Sequence, residues 1–339
     1  MNARRAIVLS GLLGLVGAGH GHAETVLTMS SWVGPTHHLT VTLQQWAKDA
    51  ENATNGRVKF RMLPKHPSAP PGAFDSVRDD LVDVSFAATS FTAQRQPLTM
   101  LPALPGGGET ALINSVAYSR IYEKHFADKR EYEGVKLLGV FTHGPGQLLA
   151  KKPVNSIADL QGMKIRTGGG IAEAVARAAG ASTFVKGPME SYELLKSGVA
   201  DGTVFPIESV ASFKLETVIT HAIIFPGGMY NTAFGVLMNE GKWNKLPKQD
   251  QEAIARASGE NIARMFGKAW DEADRKGFDA LKKAGVNVVT ADPELAQEVR
   301  KRSEPLLQDW IKKAAAKGVD GTKVLAEFQA ELKKVAAAK

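Results

Sequence analysis

The chain is 339 residues long, 44% hydrophobic and 23% charged, with a formal net charge of +7 and no cysteine. Its length suits a sizeable core and two domains. The missing cysteine excludes disulfides, zinc–thiolate sites and thiol nucleophiles. Lys and Arg are scattered rather than gathered into a basic tract, so no nucleic-acid partner is expected. The N-terminus is more specific. Arg4 and Arg5 precede an apolar run from Ala6 to Val16, and small residues end at Gly21-His22-Ala23. This is the pattern of a secretory signal peptide with cleavage after about Ala23, and the run is too short to span a membrane. The mature protein is expected to be exported and soluble rather than membrane-inserted.

Val26 to Ser30 alternates like a first strand, and Ser31-Trp32-Val33-Gly34-Pro35-Thr36-His37-His38 reads as the loop into a helix from Leu39 to Ala53. Strands at Val58 to Leu63 and Val82 to Ala87 flank a Pro-rich loop and a short helix. A Pro/Gly-rich segment then leads to a helix from Ala111 to Asp128. The strand Val135 to Phe141 runs into Thr142-His143-Gly144-Pro145-Gly146 and resumes at Leu148, a pattern that suits an interdomain crossing. Strands alternating with helices argue for parallel sheets. Met163-Lys164-Ile165-Arg166 reads as a strand followed by Gly168-Gly169-Gly170 and a helix from Ile171. Arg166 therefore sits at a strand-to-helix junction, where open α/β sheets bind ligands, with free backbone N–H groups close by. Its planar charged fork matches a carboxylate. The glycines lack the G-x-G-x-x-G spacing of a dinucleotide loop. Strands at Ala181, Thr203, Ala222 and Thr232 follow. A long helical region runs from about Lys248 to Ala284, with Gly259, Gly267 and Gly277 as points of bending, and an amphipathic helical tail runs from Pro293 to Lys339.

Five stretches in this order carry a resemblance: Ser31-Trp32-Val33-Gly34-Pro35-Thr36-His37, Thr142-His143-Gly144-Pro145-Gly146-Gln147, Leu160-Gln161-Gly162-Met163-Lys164-Ile165-Arg166, Gly198-Val199-Ala200-Asp201-Gly202, and Lys242-Trp243-Asn244-Lys245-Leu246-Pro247. Over nearly the whole mature chain the sequence resembles the solute-binding proteins of tripartite ATP-independent periplasmic (TRAP) transporters, the DctP-like family. The resemblance implies an α/β fold: a two-domain periplasmic binding protein, type II-like, with the ligand cleft between the domains and a long helix spanning both. It implies a non-enzymatic role, capture of a small organic carboxylate by hinge closure and transient delivery to the permease membrane subunits. No cofactor and no metal are implied. The domains are read as residues 24–143 with 232–270, and 144–231 with 271–339.

The family's carboxylate-binding arginine falls on Arg166. Where one branch carries an asparagine after the Asp-Gly turn, this chain has Phe205, which favours a flatter, more apolar ligand, aromatic or oxo-acid in character. Trp32 and His37 lie in the first strand-to-helix loop, and Trp32 is a candidate to stack on a planar ligand. Phe86 ends the third strand. Phe141 and His143 flank the crossing, with His143 a candidate donor to a ligand oxygen. Met229, Tyr230 and Asn231 lie in the loop returning to the first domain, and one of the three is expected to line the cleft. Glu208 reads as a solvated or hinge carboxylate, and the adjacent His37 and His38 are not placed to chelate one ion. The competing reading is a secreted α/β enzyme acting on an acidic small molecule; it needs a nucleophile–base pair near Arg166, and none stands out.

Overall fold

A computed structural model of the chain describes residues 24–338. The proposed signal peptide and its cleavage point therefore lie outside the described residues. Among the described residues, eleven strands form two sheets. They are β1 (Thr25–Met29), β2 (Val58–Met62), β3 (Val84–Ala88), β4 (Val135–Thr142), β5 (Gly146–Ala150), β6 (Lys164–Thr167), β7 (Ser182–Val185), β8 (Gly202–Pro206), β9 (His221–Ile224), β10 (Ala233–Asn239) and β11 (Asn287–Thr290). The first sheet runs β2-β1-β3-β10-β4 and the second β11-β9-β5-β8-β6-β7. Each is the base of one lobe.

The sheets are mixed, not purely parallel as strand–helix alternation suggested. β10 lies antiparallel to both β3 and β4, and β5 lies antiparallel to β8 and β9. The reason is the double crossing. The chain leaves the first sheet along β4, enters the second as β5, and returns as β10 beside the strand it left by. Where the crossing segments meet, Gly146 N–H donates to Tyr230 O and Met229 N–H to Gly146 O, both at 2.9 Å. The two lobes are thus joined by a pair of hydrogen-bonded extended segments, a natural hinge.

The long helical region is two helices, Lys248–Arg256 and Glu260–Lys283. Gly259 breaks it with φ +60°, and its N–H turns aside to Leu138 O. The other two glycines do not bend the second helix; they let it approach its neighbours. A Cβ on Gly277 would stand 2.1 Å from Ile207 O, and one on Gly267 would stand 2.7 Å from Leu112 Cα. Through these contacts one helix packs on Ala111–His125 and β4 of the first lobe and on Glu208–Phe213 of the second.

The tail, grouped with the second domain from sequence, forms helices Pro293–Ala316 and Gly321–Ala337. Leu295, Ala296 and Val299 pack in the second lobe's core with Ile165 and Ala172. Trp310, Val324, Phe328 and Leu332 instead share the first lobe's core with Leu101 and Val116. Residues 321–337 therefore lie on the first lobe, because their apolar stripe meets the Ala111–His125 helix.

Candidate functional site

Between the sheets lies a cavity with about 680 Å³ of empty space, its open mouth included. The first lobe contributes Trp32, His37 and Phe91. The second contributes Arg166, Phe205 and Glu208. His143 and Tyr230 come from the crossing segments, and Trp270 from the long helix. Five sequence-predicted residues, Trp32, His37, His143, Arg166 and Phe205, are thus brought together on one cavity wall or another.

Arg166 is the centre of this arrangement. It is 1% exposed. Its Nε and Nη2 both donate to Lys186 O, at 2.9 and 2.5 Å. Its guanidinium carbon lies 4.2 Å from the Phe205 ring centroid. Nη1 has no partner. No carboxylate forms an ion pair with this side chain among the described residues, and burial pushes its pKa down to about 10. Phe205 is therefore the floor on which the guanidinium lies, as well as a wall of the cavity. The neighbouring backbone at Gly168 and Gly169 also lines the cavity, where a side chain would take up room.

His143 is 5% exposed, with its edge against Tyr230 at 5.2 Å. Its Nδ1 contacts Gly144 O. A carbonyl only accepts, so the ring proton sits on Nδ1 and is already used. Burial pushes His143 down to about 4, which keeps the ring neutral. The sequence reading made it a donor to the ligand; the tautomer makes its free Nε2 an acceptor instead. Trp32 donates from Nε1 to Phe86 O at 3.1 Å, which fixes the indole at the cavity.

Four expected residues do not line the cavity. Phe86 is fully buried behind Trp32, with ring centroids 5.2 Å apart. Phe141 is stacked between Phe234 and Phe266, at 4.9 and 4.1 Å. Met229 packs in the second lobe's core beside Phe225. Asn231 is turned onto the backbone, its Oδ1 accepting from Thr232 N–H at 2.6 Å.

Glu208 is not solvated. It is 2% exposed, and its Oε1 lies 3.1 Å from His37 Nε2 and 3.5 Å from His38 Nε2. Ser212 donates to Oε1 and Ser209 to Oε2. Burial alone would raise its pKa; the hydrogen bonds and charge interactions with His37 and His38 overcome this and hold the carboxyl well below the usual carboxylate range. One turn of chemistry away, Asp274 behaves oppositely. It accepts the Glu208 N–H at 2.7 Å, and burial pushes it up to about 8. The two neighbours are thus pushed in opposite directions, Glu208 towards its ionised form and Asp274 towards its protonated one.

His37, His38 and Glu208 have donor atoms within 4.8 Å of one another, a spacing that could hold a metal ion. The caps argue for a hydrogen-bonded cluster instead. His37 Nδ1 accepts the Leu39 N–H at 3.2 Å, so in the neutral ring the proton is on Nε2, the atom a metal would need bare. The adjacency that spoke against chelation from sequence does not keep the rings apart, since both reach Glu208 across the cleft. Of the returning loop's Met229, Tyr230 and Asn231, Tyr230 is the one that lines the cavity; Trp270 and Glu208 are lining residues that sequence reasoning missed or underrated. Trp270 was legible only as one apolar position in a helical stripe.

Comparison with known proteins gives a consistent result. The family model described as bacterial extracellular solute-binding protein, family 7, matches residues 29–313. The structure is similar to a TRAP periplasmic solute-binding protein from Bordetella bronchiseptica solved with bound (R)-mandelate and (S)-mandelate. The identity is 45% over 92% of this chain and 99% of that one, with a TM-score of 0.88. It is also similar to a marine metagenome TRAP solute-binding protein specific for aromatic acid ligands, solved with 3-hydroxybenzoate, at 26% identity, TM-score 0.83, and coverage of 92% and 99%. Among curated sequences, the outer membrane transporter protein TsaT of Comamonas testosteroni is 27% identical over 98% of both chains. Among the described residues, no helix is long and apolar enough to cross a membrane.

Proposed function

The chain belongs to the TRAP periplasmic solute-binding proteins, family 7 of the bacterial extracellular solute-binding proteins, and from that premise we propose that it captures an aromatic carboxylate between its lobes and hands it to a membrane permease. The observation that carries this is Arg166, a buried guanidinium with a free Nη1 and no ion-paired carboxylate among the described residues. Burying an unpaired charge is costly. A ligand carboxylate supplies the missing counter-ion and a short charge-assisted hydrogen bond. The rings of Trp32, Phe91, Phe205 and Trp270 around the same cavity offer the flat apolar surface an aromatic ligand needs. The family is one of solute receptors, and no chemistry on the ligand is required of any residue here.

Hinge closure brings Arg166 and Phe205 of one lobe towards Trp32 of the other, excluding water and strengthening the charge pairing. In this proposal the moving bodies are residues 24–143, 232–270 and 321–337 on one side and 144–231 with 271–292 on the other. Export with cleavage after about Ala23 belongs to the same reading, and N-terminal sequencing of the secreted protein checks it. The binding proposal is tested by thermal shift and calorimetry with benzoate, mandelate and phenylacetate, their uncharged amides, and succinate. An aromatic acid at a hundred times its dissociation constant should stabilise the protein by about 2.7 kcal/mol, with the amides inert. Equal binding of acid and amide, or no shift with any of the three aromatic acids, would overturn it.

A further inference from the structure

The charged side chains on the cavity walls are of opposite sign. Among the described residues that line it, Arg166 is the only lysine or arginine and Glu208 the only carboxylate. Arg166 keeps one donor, Nη1, without a partner, which makes a place for one anion. The neutral donors around it are largely engaged. Trp32 Nε1–H donates to Phe86 O, the Tyr230 hydroxyl to Val204 O at 3.2 Å, and His143 Nδ1–H to Gly144 O. Both nitrogens of His37 are engaged too, Nδ1 with the Leu39 N–H and Nε2 with Glu208. Trp270 Nε1–H is buried and unpartnered, but one neutral N–H does not compensate a buried carboxylate.

The surroundings of Glu208 hold it in its charged form. The hydroxyls of Ser209 and Ser212 donate to it, and His37 Nε2 lies 3.1 Å from its Oε1; hydrogen bonds to a carboxylate favour the ionised state. The two charges also belong to one wall. Arg166 is in register with Thr203 on β8, the Phe205 ring lies against the guanidinium at 4.2 Å, and Glu208 follows three residues later. A ligand with one carboxylate on Arg166 therefore keeps the rest of its length in a space whose other fixed charge is negative. Resting on the aromatic-carboxylate reading above, we propose that Glu208 makes this a site for a single negative charge, rejecting ligands that carry a second carboxylate. Such a ligand buries an anion with no cation to meet it, and sets it against Glu208 where little water is left to screen the repulsion.

Calorimetry on the mature chain tests this with pairs that share a shape and differ by one charge: isophthalate and 3-carbamoylbenzoate, terephthalate and 4-carbamoylbenzoate, succinate and succinamate, with benzoate as reference. In each pair the amide acid should bind roughly tenfold to a hundredfold tighter than the diacid. Glu208→Gln keeps the shape and removes the charge, and should narrow that ratio about tenfold. Phe213→Lys leaves Glu208 in place and sets a cation on the same cavity wall; it should narrow the ratio in the same direction. Thermal melts confirm that each variant is folded, and the wild-type ratios need no variant. If diacid and amide acid bind alike, or Glu208→Gln leaves the ratio unchanged, the role given to Glu208 is wrong and the carboxylate reading stands. If the amide acids are rejected as firmly as the diacids while benzoate binds, bulk rather than charge does the selecting, and the proposal is overturned. If neither benzoate nor any amide acid binds, the carboxylate reading itself fails.

Discussion

On β6 a buried guanidinium lies on an aromatic ring with no ion-paired carboxylate among the described residues; just after β8, lining the same cavity, a buried carboxylate is met by two imidazoles and two hydroxyls. Both groups belong to the second lobe, and both are within 2% of full burial. They differ in who completes them. Glu208 is completed by the protein, partly from across the cleft through His37 and His38, so its contacts favour the closed form whether or not ligand is present. Arg166 is held by Lys186 O and Phe205, but its Nη1 has no partner and it forms no ion pair among the described residues. A binding protein that must close firmly on its ligand and weakly without it needs both kinds of group, one to set the closed geometry and one to make closure depend on an anion.

The largest expected effect separates the two. Arg166→Met removes the unpaired charge and keeps a long apolar stem. A charge-assisted contact contributes about 1.5–3 kcal/mol, so affinity for the aromatic acid should fall roughly tenfold to more than a hundredfold. The ligand-free protein should melt no lower than wild type, because a buried uncompensated charge has gone. Glu208→Ala should do the reverse. It leaves His37 and His38 without their acceptor and should lower ligand-free stability by about 1–3 kcal/mol, with a smaller loss of affinity than Arg166→Met. Calorimetry and thermal melts on the pair decide the matter; if the two variants show the same pattern, the contrast drawn between these groups is wrong.

A second contrast, between Glu208 and Asp274, is sharpened by pH. Asp274 is raised from 3.8 to about 8, first by burial and then by the charge of Glu208. Between those values the folded chain keeps a proton that the unfolded chain has lost, so stability falls as pH rises. Glu208 is depressed below 4.5; what it contributes is present above that value and is lost as pH falls. Asp274→Asn preserves the acceptor for the Glu208 N–H and removes the titration. Its melting temperature should decline less steeply than wild type between pH 4 and 8. Glu208→Gln should weaken the acid-side loss and, by removing a charge that helps raise Asp274, flatten the Asp274 limb only in part. An unchanged slope in Asp274→Asn would show that Asp274 is ionised in the folded protein.

How much of this was legible from sequence depends on what kind of fact each residue rests on. Arg166 was readable because its signal is local: a short alternating strand, a glycine run and a helix start within a few residues. Phe86 and Phe141 were not separable from cavity residues, because β3 and the end of β4 are buried on both faces and period-2 alternation then carries no direction. The parallel-sheet expectation failed for a long-range reason, the return of β10 beside β4, which no local pattern encodes. Glu208 looked like a surface carboxylate because its partners His37 and His38 lie far away in sequence. The tail's helices were plain from periodicity, but the lobe they serve is set by the surface that Ala111–His125 leaves apolar.

The smallest effect tests Phe205, the ring beneath the guanidinium. Phe205 offers Arg166 a ring face and no hydrogen bond, so it holds the guanidinium plane without neutralising it or competing for Nη1. A cation–π contact contributes about 0.5–2 kcal/mol, more as water is excluded. Phe205→Leu keeps apolar bulk and loses the ring, and affinity for an aromatic acid should fall only a fewfold. Phe205→Asn supplies a polar partner next to the carboxylate at the expense of the flat wall. It should shift preference away from aromatic acids and towards smaller hydroxylated ones, measured as a ratio of dissociation constants for mandelate and lactate. If Phe205→Leu weakens binding as much as Arg166→Met, the ring is the principal contact and the arginine only its support, the opposite of the arrangement argued from their burial and hydrogen bonding.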